Sequence, residues 1–304
     1  MSALLPDSIR VIERGWLSSN NIVLFDGDEA ALIDSGYCSK AAQTVALVRE
    51  TLAGRRLSRL LNTHSHSDHI GGNAAVRRAF GCDILIPEGM VAAVSAWDEA
   101  ALLLTVAEQQ AERFEFAGQF AAGESVIMGE GAWRVVAAPG HDMDAVMFHD
   151  ADRRILVSGD ALWRDGFGIL FADVLGLGDG LGQARETLEH IGRLSVDVVI
   201  PGHGEPFADV EEALGRAFGR LAAFEADGGR IARNAIRACF TFSLLDARTV
   251  ALDDLAEHLD RVPLYHQANR RFLGLSPDAL AQWLVADLVR AGVAQRDGRN
   301  LIAV

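Results

Sequence analysis

The stretch Asn62-Thr63-His64-Ser65-His66-Ser67-Asp68-His69 decides how the rest of this chain is interpreted. It follows the apolar run 57–61, which predicts a buried strand, and it places three histidines and one aspartate within six residues. Imidazole nitrogens and carboxylate oxygens are the donors that zinc and similar divalent ions take. Side chains two apart in an extended segment point the same way, so the first two histidines can hold one ion. The aspartate and the last histidine can face a second ion, and Gly71 and Gly72 permit a tight turn away from the stretch.

Three further segments place a donor residue at the end of an apolar strand. They are His141 after the strand 133–137, Asp160 after the strand 154–157 and His203 after the strand 196–200. Each of these three segments is a weak signal for a site when taken alone, because Gly-Asp and Pro-Gly are common turn sequences. Together they put one donor at each strand end, where a sheet fold can gather them into a single site.

The first two hundred residues alternate short strands with helical patterns. Asp26-Gly27-Asp28 between two apolar runs predicts a hairpin, and the alanine- and leucine-rich segment 88–112 predicts a helical insertion. A helix from about residue 181 to residue 193 leads into the last of these strands. We therefore expect an α/β fold in which helices pack outside β-sheets.

The pattern changes to helices after Pro206. Helical periodicity covers 209–225 and 229–245, Ser276-Pro277 is a strong helix start, and Asp297-Gly298 joins a small terminal hairpin. Helices followed by a hairpin resemble a winged-helix arrangement. We expect two domains, residues 1–207 and residues 208–304.

Composition restricts the partners. The chain has 42 acidic and 28 basic residues and a formal charge of −14, so binding of nucleic acid would need a local basic patch. Arg230, Arg233 and Arg237 form a row on one helical face, but such a row is usually solvated, and nucleic acid is not favoured. Three scattered cysteines, no signal-peptide pattern and no apolar run of 18 residues predict a cytoplasmic protein that does not enter a membrane.

Five motifs in order then resemble the metallo-β-lactamase superfamily over roughly residues 10–207. They are Asp34 in LIDSG, the HSHSDH stretch, His141, Asp160 and His203. The resemblance implies an αββα metallo-β-lactamase sandwich with a two-metal site at one edge of the sheets, here followed by a smaller, mainly helical C-terminal domain. The implied ligands are His64, His66 and His141 for one ion, Asp68, His69 and His203 for the other, and Asp160 as a bridge. Asp34 would orient the histidine loop by hydrogen bonds.

The implied function is dinuclear metal-dependent hydrolysis, in which a metal-bound hydroxide attacks a small-molecule ester, thioester or lactone. Asp68 is the candidate catalytic residue for proton handling. Zinc is the first choice of metal, and iron or manganese also suits the ligands. His66 stands where the oxygen-reducing diiron branch has a glutamate, so hydrolysis is favoured.

Other functions of the same fold stay open from the sequence. The main alternative is a phosphodiesterase or RNA nuclease whose C-terminal domain contacts nucleic acid, and a further one is a regulatory module with a vestigial metal site. The glyoxalase-II-like branch is not supported, since no clear lysine or arginine array for the carboxylates of glutathione is evident. The substrate is left undetermined, and a homodimer is the default oligomeric state.

Overall fold

A computed structural model describes residues 4–304 and contains two facing β-sheets. The first sheet is six-stranded, in the order β1 (Ile9–Ile12), β2 (Asn21–Asp26), β3 (Glu29–Ile33), β4 (Arg56–Leu61), β5 (Asp83–Pro87) and β6 (Gly118–Phe120). Its first three strands are antiparallel, and β3 to β6 run parallel. The predicted hairpin at Asp26-Gly27-Asp28 joins β2 to β3, with Asp26 opposite Glu29.

The second sheet is five-stranded and mostly antiparallel. Its strands are β7 (Ser125–Met128), β8 (Gly131–Ala137), β9 (Val146–Asp150), β10 (Ile155–Gly159) and β11 (Val198–Pro201), in the order β11-β10-β9-β8-β7. Only β10 and β11 pair in parallel. Because β8, β10 and β11 run in one direction, their carboxyl ends lie at the same edge of this sheet.

Helices cover the outer face of each sheet. Those associated with the first sheet are α1 (Ala41–Leu52), α2 (Ser67–Ile70), α3 (Asn73–Phe80) and α4 (Val91–Ala96). Those beside the second sheet are α5 (Phe171–Leu175), α6 (Gly180–Arg193) and α7 (Val210–Ala226). Among residues 4–304, no helix combines the length and the apolar character that crossing a bilayer requires.

Alternation along the strands produces these layers. In β2, Ile22 and Leu24 point into the core between the two sheets, whereas Val23 packs under the helices of the first sheet. In β8, Val135 faces the same inter-sheet core, and Val136 packs under the helices of the second sheet. Successive side chains of a strand point to opposite faces, so the chain forms the expected αββα sandwich.

The C-terminal part consists of helices and a three-stranded sheet. Its elements are α8 (Gly229–Ala247), β12 (Thr249–Ala251), α9 (Leu255–Arg261), α10 (Pro263–Ala268), α11 (Pro277–Arg290), β13 (Ala294–Asp297) and β14 (Asn300–Ala303), with the strands in the order β12-β14-β13. Ile236 of α8 and Leu284 of α11 belong to the same buried cluster as Leu156 of β10. The C-terminal helices are therefore packed onto the outer face of the second sheet.

The predicted helical insertion at 88–112 is wrong for most of its length. The only α-helix there is α4, which ends at Trp97 in the left-handed conformation (φ 52°), and turns follow. The carboxylate of Asp98 accepts hydrogen bonds from the backbone amides of Ala100 and Ala101. These hydrogen bonds from the side chain compete with the backbone hydrogen bonds of a helix. Leu102 and Leu104 are nevertheless buried in the core.

Candidate metal centre

The predicted donors meet at one edge of the sandwich because five strand ends converge there. Asp34 follows β3 and the histidine stretch follows β4, and these two strands are parallel neighbours. His141, Asp160 and His203 follow β8, β10 and β11 of the facing sheet. Loops at the carboxyl ends of neighbouring parallel strands lie on one side of a sheet, so residues far apart in sequence become neighbours.

Asp34 anchors the histidine loop from the neighbouring strand. It is buried in the left-handed conformation (φ 57°), and its carboxylate accepts hydrogen bonds from the backbone amide and the hydroxyl of Thr63 at 2.9 and 2.8 Å. Its second oxygen also lies 2.8 Å from Nδ1 of His69. Asp34 thus fixes the ring of His69 and the backbone just before His64.

His64, His66 and His141 form the first group of donors, with all three rings buried. Nδ1 of His66 lies 2.7 Å from Nε2 of His141. The other ring nitrogen of His141 lies 2.6 Å from the carbonyl oxygen of Ile169, and Nδ1 of His64 lies 3.0 Å from the hydroxyl of Thr63. Nε2 of His64 is buried without a hydrogen-bond partner among the described residues.

Asp68, His69 and His203 form the second group. Nε2 of His203 lies 3.1 Å from Oδ2 of Asp68, and Nε2 of His69 lies 3.9 Å from the same oxygen. Nε2 of His69 is a second buried nitrogen that has no hydrogen-bond partner within residues 4–304. The other nitrogen of this ring is held by Asp34, so the ring is fixed with a free nitrogen directed at the group.

The carboxylate of Asp160 lies between the two groups. Its Oδ2 is 3.4 Å from Nε2 of His141 in the first group and 3.9 Å from Nε2 of His203 in the second. Its Oδ1 is 3.5 Å from Nε2 of His69 and accepts a hydrogen bond from Nε1 of Trp163 at 3.2 Å. Asp160 is therefore within reach of both groups at once.

Burial favours the neutral form of two histidines of the first group, His64 and His66. Burial lowers the pKa of His64 well below its usual value, and the adjacent ring of His69 adds to this shift. Burial, reinforced by His141, lowers the pKa of His66 to about 4. Neutral imidazole is the form that binds a metal ion.

The second group combines carboxylates with imidazoles. Burial alone would lower the pKa of His69, but the carboxylates of Asp160, Asp34 and Asp68 raise it well above its usual value. Burial would raise the pKa of Asp160, but the rings of His69 and His203 lower it well below its usual value. Burial likewise opposes ionisation of Asp68, and His69 outweighs it, so the pKa of Asp68 is lowered. The lowered pKa values favour the ionised forms of Asp160 and Asp68, which attract positive charge.

This donor set fits divalent metal ions. Two ligand atoms on a tetrahedral zinc ion lie about 3.4 Å apart, since zinc–nitrogen bonds are about 2.0 to 2.1 Å long. The distances from Asp160 to His141 and His69 have this value within about 0.1 Å. Unsatisfied buried nitrogens are costly, and the two orphaned Nε2 atoms of His64 and His69 would be satisfied by bound cations.

Two side chains that support the donors are not evident from the sequence. Oδ2 of Asp142 accepts a hydrogen bond from the hydroxyl of Ser65 at 2.9 Å and lies 3.9 Å from Nε2 of His66. Trp163 is the other, through its hydrogen bond to Asp160. Their sequence signal is only proximity to a motif, since Asp142 directly follows His141 and Trp163 comes three residues after Asp160.

Glycines at the site are required by close approach of neighbouring atoms. Gly71 and Gly72 lie in the expected turn, but their φ angles are negative (−61° and −88°), so the turn itself does not require glycine. A Cβ atom on Gly72 would lie 2.2 Å from the carbonyl oxygen of Ser35. A Cβ atom on Gly202 would lie 2.2 Å from Oδ1 of Asp160. Both positions therefore need the smallest residue.

A small cavity lies at the donor groups, and a larger cleft adjoins it. The small cavity, of about 60 Å³, contains donors of both groups, and its other walls are largely apolar. Ala238, Cys239 and Phe242 of α8 form part of these walls, so the C-terminal helices close over the centre. The larger cleft, of about 1100 Å³, shares Trp16, Trp163 and Ala238 with the small cavity.

Comparison with known proteins gives a family match over most of the sandwich. Residues 14–203 match the family model of the metallo-beta-lactamase superfamily. A hydroxyacylglutathione hydrolase from Rhizobium johnstonii is 28% identical over 121 residues, which cover 40% of this chain and 40% of that protein. Another from Rhodospirillum rubrum is 31% identical over 145 residues, or 47% of this chain and 49% of that protein. The chain thus spans less than half of the length of these curated relatives.

Solved structures share the fold over the whole chain. A metallo-beta-lactamase family protein from Thermus thermophilus has a TM-score of 0.60 at 20% identity, and the match covers 99% of this chain and 100% of that one. A beta-lactamase domain protein from Burkholderia ambifaria has a TM-score of 0.58 at 18% identity, covering 99% and 94%. These matches extend through the C-terminal helices.

Proposed function

Because the chain belongs to the metallo-beta-lactamase superfamily, we propose that it is a dinuclear metal-dependent hydrolase of a small-molecule ester, thioester or lactone. The observation that carries this proposal is the carboxylate of Asp160, which lies within 3.9 Å of donor nitrogens in both groups. A shared carboxylate between two sets of three donors is suited to two ions.

The proposed ligands are His64, His66 and His141 for one ion and Asp68, His69 and His203 for the other, with Asp160 shared. Zinc is the first choice for this mixture of nitrogen and oxygen donors, and iron or manganese also accepts it. When bound, such ions lower the pKa of a water molecule and polarise a substrate carbonyl.

The side chains around the centre would hold the reacting groups in position and transfer protons. In acyl hydrolysis a water oxygen bonds to the carbonyl carbon, the bond from that carbon to the leaving oxygen or sulfur breaks, and the leaving group receives a proton. The carboxylate of Asp68, whose side chain is 15% exposed, would accept the proton of the water and pass it on. Trp163 would hold Asp160 in place through its indole N–H, and the apolar walls would exclude bulk water.

The relatives favour a thioester within this substrate class. Their name describes hydrolysis of a hydroxyacylglutathione, which is a thioester. Each match covers less than half of the relative, so acyl transfer to water carries over more readily than the glutathione carrier. We propose that the C-terminal helices help to recognise the carrier, since residues of α8 line the cavity at the donor groups.

We also propose the finer points of organisation. The division into residues 1–207 and 208–304 stays a proposal, as does a winged-helix identity for the second part; the order β12-β14-β13 beside α8, α9 and α11 supports the latter. Cys38, Cys82 and Cys239 are free thiols, which agrees with a cytoplasmic location. A homodimer is the expected oligomeric state, and sedimentation would test it.

A phosphodiesterase or RNA nuclease is the second candidate. The observation in its favour is that Arg230, Arg233 and Arg237 line the large cleft beside the donor groups. Binding of a polyanionic strand would weaken steeply as the salt concentration rises, whereas turnover of a small neutral ester would change little.

A hydrolysis panel tests the proposed function. Protein reconstituted with zinc, manganese or iron is assayed on an acyl ester, a thioester, a lactone and a phosphodiester. We expect turnover of an acyl substrate, with kcat lowered about 10²- to 10⁴-fold by Asp68→Asn. Asp152→Asn, in an exposed turn, is the matched control and should retain full activity. A preference for the phosphodiester, or metal-loaded protein that is inactive on every acyl substrate, would contradict the proposal.

A further inference from the structure

The large cleft beside the metal centre is lined by side chains of both parts of the chain. Trp16, Trp163 and Asp165 come from the sandwich, whereas most of the lining comes from α7, α8 and α11. Its volume of about 1100 Å³ slightly exceeds the range for small-molecule sites, about 300 to 1000 Å³. The cleft is therefore larger than an acyl group alone would need.

The cleft is basic in an acidic protein. Five arginines line it, namely Arg220, Arg230, Arg233, Arg237 and Arg290, against the two aspartates Asp165 and Asp287. The chain as a whole carries a formal charge of −14. Positive charge is thus concentrated in the cleft, which would attract an anion to this place on the surface.

The cleft and its surroundings contain fewer paired carboxylates than arginines. Asp227 lies within 4 Å of both Arg230 and Arg233, and Asp287 is shared in the same way by Arg237 and Arg290. Each aspartate therefore serves two guanidinium groups, which leaves N–H donors free for a ligand.

Arg220 has no carboxylate within 4 Å among the described residues. It is partly buried, its guanidinium lies 5.1 and 5.4 Å from the ring centres of Phe167 and Phe224, and it donates one hydrogen bond to Asn234. Buried charges are usually paired. Aromatic rings hold this charged side chain in place, and a bound anion would supply the negative partner that it lacks.

The cleft is continuous with the metal centre. Trp16 and Trp163 line both cavities, and their ring centres lie 5.5 and 5.4 Å from that of His203. A molecule that reaches across these two tryptophans would place one end at the donor groups and the other among the arginines.

We propose that the cleft binds the leaving group of the substrate and that this leaving group carries a nucleoside phosphate. The inference rests on the proposed function, since it identifies the carrier of the acyl group that is hydrolysed. Arginine forks match phosphate oxygens in bidentate geometry, and Trp283 adds a flat surface on which a base can stack. The apolar small cavity receives the acyl group, and the cleft selects its carrier.

Phosphate is favoured over a carboxylate by the number of arginines. A single carboxylate occupies one guanidinium fork, whereas five arginines around one cleft provide for the several charges of a diphosphate. A small ligand is favoured over RNA because the chain as a whole carries a formal charge of −14 and would repel an extended strand outside the cleft.

Direct binding of ADP tests the subsite without turnover. Calorimetric titration of the metal-loaded protein is compared with the same protein carrying Arg233→Gln and Arg237→Gln. Both arginine side chains are 47% exposed, and Asp227 and Asp287 keep Arg230 and Arg290 as partners, so the variant should fold. We expect the dissociation constant for ADP to rise about 10- to 100-fold. Arg299→Gln, which is exposed and outside the cleft, should leave it unchanged.

Turnover then tests whether the subsite serves the reaction. Acetyl-coenzyme A, S-acetylglutathione and S-acetyl-N-acetylcysteamine share one acyl group and differ in carrying phosphates, carboxylates or no charge. We expect the wild-type protein to have its highest kcat/KM on the phosphate-bearing thioester. The arginine variant should raise KM for this substrate about 10- to 100-fold and leave the uncharged thioester unchanged.

The outcomes separate the two proposals. Hydrolysis of thioesters without binding of ADP, or with the glutathione thioester preferred, would overturn the nucleoside-phosphate subsite and leave the proposed function intact. Binding of ADP that depends on Arg233 and Arg237, with no thioester hydrolysed, would support the subsite and count against the acyl substrate. A short RNA bound more tightly than ADP, with a steep salt dependence, would overturn the small-molecule carrier.

Discussion

Substituting Gly202 by alanine should disable the metal centre without altering any donor. The added Cβ would lie 2.2 Å from Oδ1 of Asp160 and 3.0 Å from Cε1 of His69, whereas ordinary contact begins at 3.4 Å. Asp160 must therefore retreat by about 1 Å, which is several times the tolerance of about 0.2 Å for a metal–ligand bond. We expect the affinity for one of the two ions to fall at least about 10- to 100-fold. Overpacking would also lower the free energy of unfolding by about 1 to 3 kcal/mol.

Metal content after dialysis against a competing chelator, with a thermal melt of each protein, measures both effects. Gly192→Ala is the control, because a Cβ atom there meets only the side chain of Leu214, at 3.7 Å. The control should bind two ions and melt at or above the wild-type temperature. Two ions held at wild-type affinity by the Gly202→Ala protein would refute the role assigned to the position of Asp160.

Three further substitutions test other parts of the structure. Asp34→Ala leaves the buried donors of Thr63 and His69 without an acceptor, so we expect the free energy of unfolding to fall by about 3 to 5 kcal/mol; an unchanged denaturation midpoint would contradict this. Trp163→Phe removes the indole N–H that bonds to Asp160 and should lower kcat about 10-fold with its effect on KM smaller, as steady-state kinetics would show. Gly215→Ala in α7, where a Cβ atom meets nothing within 4 Å, should raise the melting temperature by about 1 to 3 °C, and a lower value would disprove it.

Much of the sandwich could be predicted because its signals are local. The continuous apolar run of β2, the turn at Asp26-Gly27-Asp28 and the serine cap of α11, where Ser276 accepts a hydrogen bond from the amide of Ala279, each involve only a few neighbouring residues. The donors could be located because each stands where an apolar strand ends. Their grouping around Asp160, however, came from the family resemblance, since spacing alone does not say which strand ends meet.

What could not be predicted depends on contacts between distant segments. The apolar residues of 88–112 fit a helix by composition, but the side chain of Asp98 and the left-handed Trp97 divert the chain into turns. The row formed by Arg230, Arg233 and Arg237 is typical of a solvated face. Its place in a cleft with Arg220 and Arg290 follows from how α7 and α11 pack beside α8, which no periodicity reveals.

Helix α8 connects the arginines of the cleft to the metal centre. Arg230, Arg233 and Arg237 lie on the same rigid rod as Ala238, which borders the metal centre. Eight residues separate Arg230 from Ala238, or about 12 Å along the helix axis. A molecule that reaches from the metal centre to Arg230 must span about this distance, whereas Arg237, which directly precedes Ala238, is within reach of a shorter one. The distance from the metal centre to Arg230 is thus set by the backbone of one helix, and a single residue inserted between Arg230 and Ala238 would change both that distance and the direction in which Arg230 points.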